Sequence, residues 1–347
     1  MDWFEQLFGF PEGDAALNRR NLSVEGTLLV SRVNGARFEL GAFDTPSLAS
    51  LREAAARLRD LGPTTVTHEA VDDALTLHAA PENAGAMFQA ASQFNALEFA
   101  SPRVTPEDGV TGYATDKTQG PACALATAPA AVWRNWFLPL AGGIGQTAER
   151  QLNLLADLEA ALWPADGPLW EFKNGYTFAD PGQLEAVSDA IGRRDRDALL
   201  GRIRVALHRG VEVAFARRFA PPTGRPRVSQ AFCSALSIAY AGGIRSQWEP
   251  FARLVLDAIY EATLLSAALD RATPWADGEG RGSGKVWLTF VGGGVFGNAP
   301  AWLDDAIGRA VGRASRLGLD VRIAHFRGVD AVRAAAIDTT VARNANR

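Results

Sequence analysis

Residues 285–305, KVWLTFVGGGVFGNAPAWLDD, constrain the fold more than any other stretch of the chain. Val286, Leu288, Phe290 and Val291 form an apolar, β-favouring run that reads as a buried strand. Gly292, Gly293, Gly294 and Gly297 follow, a backbone free to turn sharply and to approach a ligand closely. Trp302, Leu303, Ile307 and Val311 then recur at helical spacing, which predicts a helix from about Asn298 onward. Strand, glycine turn and helix in that order belong to an α/β architecture. A glycine turn leading into a helix is a ready anion site, because unpaired N–H groups and the helix dipole both favour phosphate. Three adjacent glycines cost more chain entropy than a packing turn requires, which favours ligand binding over packing alone. The loop lacks the GK[ST] of a Walker loop. It also lacks the acidic residue that a dinucleotide fingerprint places about 20 residues on.

The rest of the chain alternates in the same way. LLVSRV at 28–33 and RFEL at 37–40 predict a hairpin closed at Asn34-Gly35. A helix is expected over 48–61 and a strand over 74–78. Residues 87–99 begin as a strand and run into a loop. Residues 103–120, polar and glycine-bearing, read as a long loop before a helix at 121–136. Further helices are expected over 146–162, 184–219 and 248–269, and strands over 228–240 and 319–326. The expectation is a three-layer α/β/α mixed sheet with a helical insertion. Residues 1–69 would be an N-terminal extension packed on the main domain. Residues 70–165 and 226–347 would form that domain, and 166–225 the insertion.

Bulk properties exclude several function classes. A chain of 347 residues with 47% hydrophobic and 21% charged residues can bury a sizeable core. A net charge of −4 is not the basic footprint of a nucleic-acid binder. No segment reads as a charge-free membrane span, and the acidic N-terminus lacks a hydrophobic signal core. Cys123 and Cys233 stand alone, so neither a disulfide framework nor a zinc site is expected. A cytoplasmic monomer without cofactor or metal is the expectation. His68, His78, His208 and His325 lack metal-ligand spacing and read as structural. Ser92, Ser234 and Ser237 lack a nucleophile elbow.

Two further clusters can carry chemistry. Glu107, Asp108 and Asp116 lie in one loop, with Tyr113 between them and Glu98 upstream. A carboxylate there could act as a general base or hold a hydroxyl, although acids in loops are commonly just solvated. Gln93, Phe94 and Asn95 end a strand, where an amide can bind a ribose or phosphate or simply cap a turn.

Gly292-Gly293-Gly294-Val295-Phe296-Gly297, after a late strand and before a helix, resembles the diphosphate loop of the macro domain family, which binds ADP-ribose. The preceding strand and long helix, 228–269, and the final strand at 319–326 fit that family's order. The usual Asn-Ala-Ala-Asn and Gly-Gly-Gly-Val-Asp segments are replaced by QFNALEF and TPEDGVTGYATDKTQGPACA. This is similar to the divergent branch that includes bacterial effector-type hydrolases of ADP-ribosylated arginine. The resemblance implies an ADP-ribosylhydrolase whose partner is ADP-ribose or an ADP-ribosylated protein. Residues 292–298, Asn298 included, would hold the diphosphate. Gln93, Phe94 and Asn95 would bind the ligand, with Asn95 orienting the distal ribose, and Asp108 and Asp116, with Glu107, would be catalytic. A non-catalytic ADP-ribose reader remains open, as does a phosphatase on a related nucleotide.

Overall fold

The computed structural model describes residues 1–163 and 167–345. The boundary expected at 165/166 and residues 346–347 lie outside the described residues. Seven strands build the central sheet: β1 (Ala42–Asp44), β2 (Thr65–Val71), β3 (Met87–Ala91), β4 (Ala206–Glu212), β5 (Arg227–Cys233), β6 (Lys285–Leu288) and β7 (Asp320–Phe326). Their order across the sheet is β1-β4-β5-β3-β6-β7-β2. From β5 to β2 every neighbouring pair is parallel, whereas β4 is antiparallel to both β1 and β5. Helices flank this mixed sheet, as expected for the α/β class. The main ones are α1 (Gln119–Ala126), α2 (Ala128–Trp136), α3 (Pro181–Gly192), α4 (Arg245–Ala272), α5 (Pro300–Arg313) and α6 (Ala331–Asn344).

Period-two alternation sends the strand side chains into two cores. Met87, Val286, Leu288, Val321 and Ile323 face the core built by α4 and α5. Phe88, Trp287 and Val228 face a second core completed by α2 and by Trp3, Phe4 and Phe8 of the first helix, Trp3–Phe8. The N-terminal residues are therefore packed into the sheet's second face. α4 is the central pillar, buried along most of its length from Trp248 to Asp270. Part of the arginine-rich composition becomes ion pairs along its rim. Asp257 holds Arg196 and Arg309 at 2.6 Å each, and Glu261 holds Arg52 at 2.6 Å and Arg313 at 2.7 Å.

Several local expectations are corrected. Residues 74–78, expected as a strand, form the helix Ala74–Ala79, because the Asp73 side chain accepts from Leu75 N and starts a helical turn. The strand in this region is β2, one element earlier. The helix expected over 184–219 ends at Gly192, resumes briefly at Arg196–Leu200 and gives way to β4. The segments expected as extension and insertion supply β1, β4 and the first five residues of β2 to the seven-stranded sheet. The helix expected over 146–162 spans only Ala156–Leu162. Upstream, Gln146, Gln151 and Asn153 spend their amides on irregular backbone and on neighbouring loops.

Candidate functional site

β3, β5 and β6 end side by side, and a cavity of about 390 Å³ opens beyond their C-terminal ends. This is the edge of an open parallel sheet where ligands bind, since the loops leaving the strands diverge there. The loop after β3, the start of α1 and the glycine loop after β6 wall the cavity, together with Tyr176 and Tyr240.

The glycine loop is folded as an open cradle. Gly292 has φ +75°, and a Cβ there would stand 2.4 Å from Ala235 Cβ, so only glycine fits. The Asn298 amide closes the loop by donating to Leu236 O at 2.9 Å and to Gly292 O at 3.2 Å. From beneath, Tyr260 of α4 donates to Thr289 O at 2.7 Å and accepts from Val291 N at 3.0 Å. Gly293, Gly297 and Asn298 spend their N–H groups inside the loop. Among the described residues, the N–H groups of Gly294, Val295 and Phe296 have no protein acceptor. A Cβ on Gly294 would meet nothing within 4 Å. Successive unpaired N–H groups on an open turn form a concavity suited to an anion, and α5 begins just after it without a side-chain cap. Phe296 continues the wall, 5.4 Å from Tyr176 and 5.8 Å from Tyr240 between ring centroids.

Glu98 faces the cavity from the opposite side. It is 1% exposed, yet neither carboxyl oxygen has a hydrogen-bond partner. Burial pushes its pKa well above the usual carboxylate range, and the nearby Asp116 charge adds to the rise. The Ser92 hydroxyl and the Arg134 charge only partly offset this; that hydroxyl lies within bonding distance of the Gln93 and Leu97 carbonyls. The loop presenting Glu98 is tightly held. Gln93 pairs with both backbone polar groups of Phe99, at 2.9 and 3.0 Å. The Tyr113 hydroxyl accepts from Glu98 N at 2.9 Å, and the Asn95 Oδ1 accepts from Leu97 N at 3.1 Å. Asp116 also lines the cavity, with Oδ1 taken by the Thr118 N–H and hydroxyl and Oδ2 without a protein donor among the described residues. Gln119 then bonds the edge of β3, at Ala91 N and Gln89 O, and brings the N-terminus of α1 to the cavity.

The structure gathers Gln93, Asp116, Gly292, Gly294, Val295 and Phe296 around one cavity, with Gly293, Gly297 and Asn298 shaping the same loop. Asn95 and Phe94 lie beneath it as buried supports. The Asn95 amide reaches Gln151 at 2.9 Å, and Phe94 pairs through its N–H with Gly175 O. Glu107 and Asp108 are not brought to the cavity. Glu107 accepts from Ala148 N, and Asp108 closes a capping box with Thr105. Sequence reasoning named Glu98 only as a neighbour of the acidic loop and missed Tyr176, Tyr240 and Tyr260. One signal was available: Glu98 is the single acid within an otherwise apolar and amide-bearing run, QFNALEFA.

No family model matches the chain, and no curated protein matches it. Solved structures with a similar course of chain include poly(ADP-ribose) glycohydrolase from Deinococcus radiodurans in complex with ADP-ribose. It is 12% identical, with 87% of this chain and 95% of that one covered, at a TM-score of 0.45. The poly(ADP-ribose) glycohydrolase from Thermomonospora curvata is 14% identical, with 95% and 97% covered, at a TM-score of 0.42.

Proposed function

We propose that this protein is an ADP-ribosylhydrolase, which binds an ADP-ribosyl group in the cavity and cleaves the glycosidic bond at C1″ of its distal ribose. One observation carries the reading: a buried carboxyl without a partner, Glu98, faces the same cavity as three unpaired backbone N–H groups at 294–296. The N–H cradle suits a diphosphate, and the α5 dipole adds to it. Tyr240 and Phe296 offer ring faces and edges to the sugar or base. Glu98, held protonated by burial, gives its proton to the leaving group as the C1″ bond breaks. The half-buried Asp116 holds a ribose hydroxyl or the attacking water. An acid pushed up by burial beside a second, more open carboxyl is the usual division of labour in glycosidic hydrolysis.

Arginine is the acceptor residue implied by the resemblance, and the free Oδ2 of Asp116 is the group that would recognise a guanidinium. Calorimetry with ADP-ribose, followed by assays on arginine-linked and hydroxyl-linked ADP-ribosyl substrates, tests both levels. Glu98→Gln is expected to bind ADP-ribose like the parent protein and to lose about 10²- to 10⁴-fold in kcat. ADP-ribose binding with no linkage hydrolysed would make the protein a reader. Absence of binding at millimolar ligand would end the proposal.

A further inference from the structure

Arg134 of α2 is fully buried and makes no ion pair among the described residues. Its guanidinium stacks 3.8 Å above the Phe232 ring. Nε donates to Ala96 O at 3.0 Å, Nη1 donates to His208 Nδ1 at 3.3 Å, and Nη2 has no partner. A buried cation without a counter-ion is expensive, and an apolar residue of similar length would serve packing better. Its bond to Ala96 gives it a different use. Ala96 has φ +58°, a left-handed conformation that side chains other than glycine disfavour, and it lies two residues before Glu98. The same turn is held by Gln146, whose Nε2 donates to Asn95 O and to Arg134 O at 3.1 Å each.

Resting on the hydrolase reading, we propose that Arg134 is a positioning residue for Glu98: it clamps the left-handed turn at Ala96 and sets a fixed positive charge behind the carboxyl facing the cavity. The charge sits on the protein side of Glu98, where substrate cannot neutralise it. Other groups also act on that carboxyl or feel its charge: Asp116 and Tyr113 from the loop before α1, Cys123 from α1, Tyr176 from the hairpin strand Tyr176–Phe178, and the Ser92 hydroxyl. Asp116 opposes ionisation, and Cys123 and Tyr176 are themselves pushed up, by burial first. Arg134 is the one cation of the set. Burial lowers its own pKa to about 10, and His208 beside it is held neutral by burial and by the Arg134 charge.

The test follows Glu98 directly, by carbon NMR of protein labelled at the glutamate carboxyl and assigned with Glu98→Gln. In Arg134→Met the Glu98 titration is expected to move to higher pH. The kcat on an ADP-ribosylated substrate falls about tenfold, KM stays near that of the parent, and the pH–rate profile shifts with the titration. Arg134→Lys keeps the charge but not the Nε donor, so the titration returns towards the parent value while kcat stays low. A folded Arg134→Met with unchanged titration and unchanged kcat overturns the proposal. Should that variant fail to fold, Arg134→Lys decides alone, and unchanged kcat there overturns the clamp. The titration needs no turnover, so absence of hydrolysis in the parent protein would remove the hydrolase reading and leave the coupling of Arg134 to Glu98 to be judged on the titration.

Discussion

Gly120 lies against the Glu98 carboxyl so closely that a Cβ on Gly120 would stand 2.3 Å from Glu98 Oε2. The same Cβ would meet Ala91 O at 2.0 Å. The first turn of α1 therefore closes over the acid, and only hydrogen fits between them. Gly120→Ala is expected to force either α1 or the Glu98 side chain aside. An overpacked contact of this kind costs about 1–3 kcal/mol, readable as a lower urea midpoint. Because the displaced group is the proposed acid, kcat on an ADP-ribosylated substrate should fall together with stability. Parent-like stability and turnover would show that the contact relaxes without moving Glu98.

The two glycines of the anion cradle should separate folding from binding. At Gly292, φ +75° and the 2.4 Å approach to Ala235 Cβ make alanine a strain on the loop. Gly292→Ala is expected to cost about 1–3 kcal/mol. At Gly294 there is open space, so Gly294→Ala should leave stability within about 0.5 kcal/mol. The added methyl nonetheless intrudes on the cavity at the unpaired N–H groups. ADP-ribose affinity should drop about tenfold by calorimetry, a change of about 1.4 kcal/mol. Unaltered affinity in a stable Gly294→Ala would place the diphosphate elsewhere.

Tyr260 tests whether the cradle must be held rigid. Its hydroxyl bridges Thr289 O and Val291 N from the side opposite the cavity. Tyr260→Phe removes both bonds while Val291 N keeps Thr289 O as an acceptor at 3.0 Å, so the loss is that of two ordinary hydrogen bonds, about 1–3 kcal/mol. The ring packing is retained, so a fall in ADP-ribose affinity beyond the loss of stability would measure preorganisation of the loop. Equal affinity in the two proteins would mean that Asn298 alone holds the shape.

The glycine loop was legible in the sequence because its demands are local. Left-handed φ at Gly292 and Gly297, close approach and a helix start are all written within about ten residues. β6 was legible for a similar reason, since KVWL is buried from Val286 on and reads as an apolar run, and β7 because DVRIAHF alternates buried and half-buried positions. β4 was not: ALHRGVE carries a buried His208 and a bulge at Gly210, and arginines flank it. Ala74–Ala79 is too short for its period to show, and its cap decided the outcome. The place of Glu98 in the cavity was hidden for a long-range reason. Nothing near Glu98 in the sequence says that Gly120 will cover it or that Arg134 will lie behind it, and nothing near Glu107 and Asp108 says that backbone groups will draw them away from the cavity.

The pH dependence of stability should carry two opposed contributions from buried groups. His78 is stacked on Phe88 at 3.7 Å, with Nδ1 donating to Ala74 O and Nε2 accepting from Gln230. Burial lowers its pKa from 6.5 to about 4, and the Ala74 bond resists only partly. The unfolded chain therefore binds the proton first. Stability is complete above the ordinary histidine pKa and is lost as pH falls towards 4, by up to about 3 kcal/mol. His208, lowered by burial and by Arg134, acts in the same direction. Glu98 has the opposite sign: its folded pKa is raised, so its contribution is complete below the ordinary carboxylate range and is lost as pH rises from that range up to the raised folded value. Urea midpoints measured from pH 4 to pH 8 should show both. Glu98→Gln should remove the decline towards higher pH, so that its acid-side loss is steeper than the parent's. His78→Gln, which keeps an acceptor for Gln230 but cannot titrate, should flatten the acid side without abolishing it, because His208 remains. Parallel curves for the parent and Glu98→Gln would mean that Glu98 is not held protonated by the fold, and the general acid would have to be sought elsewhere in the cavity.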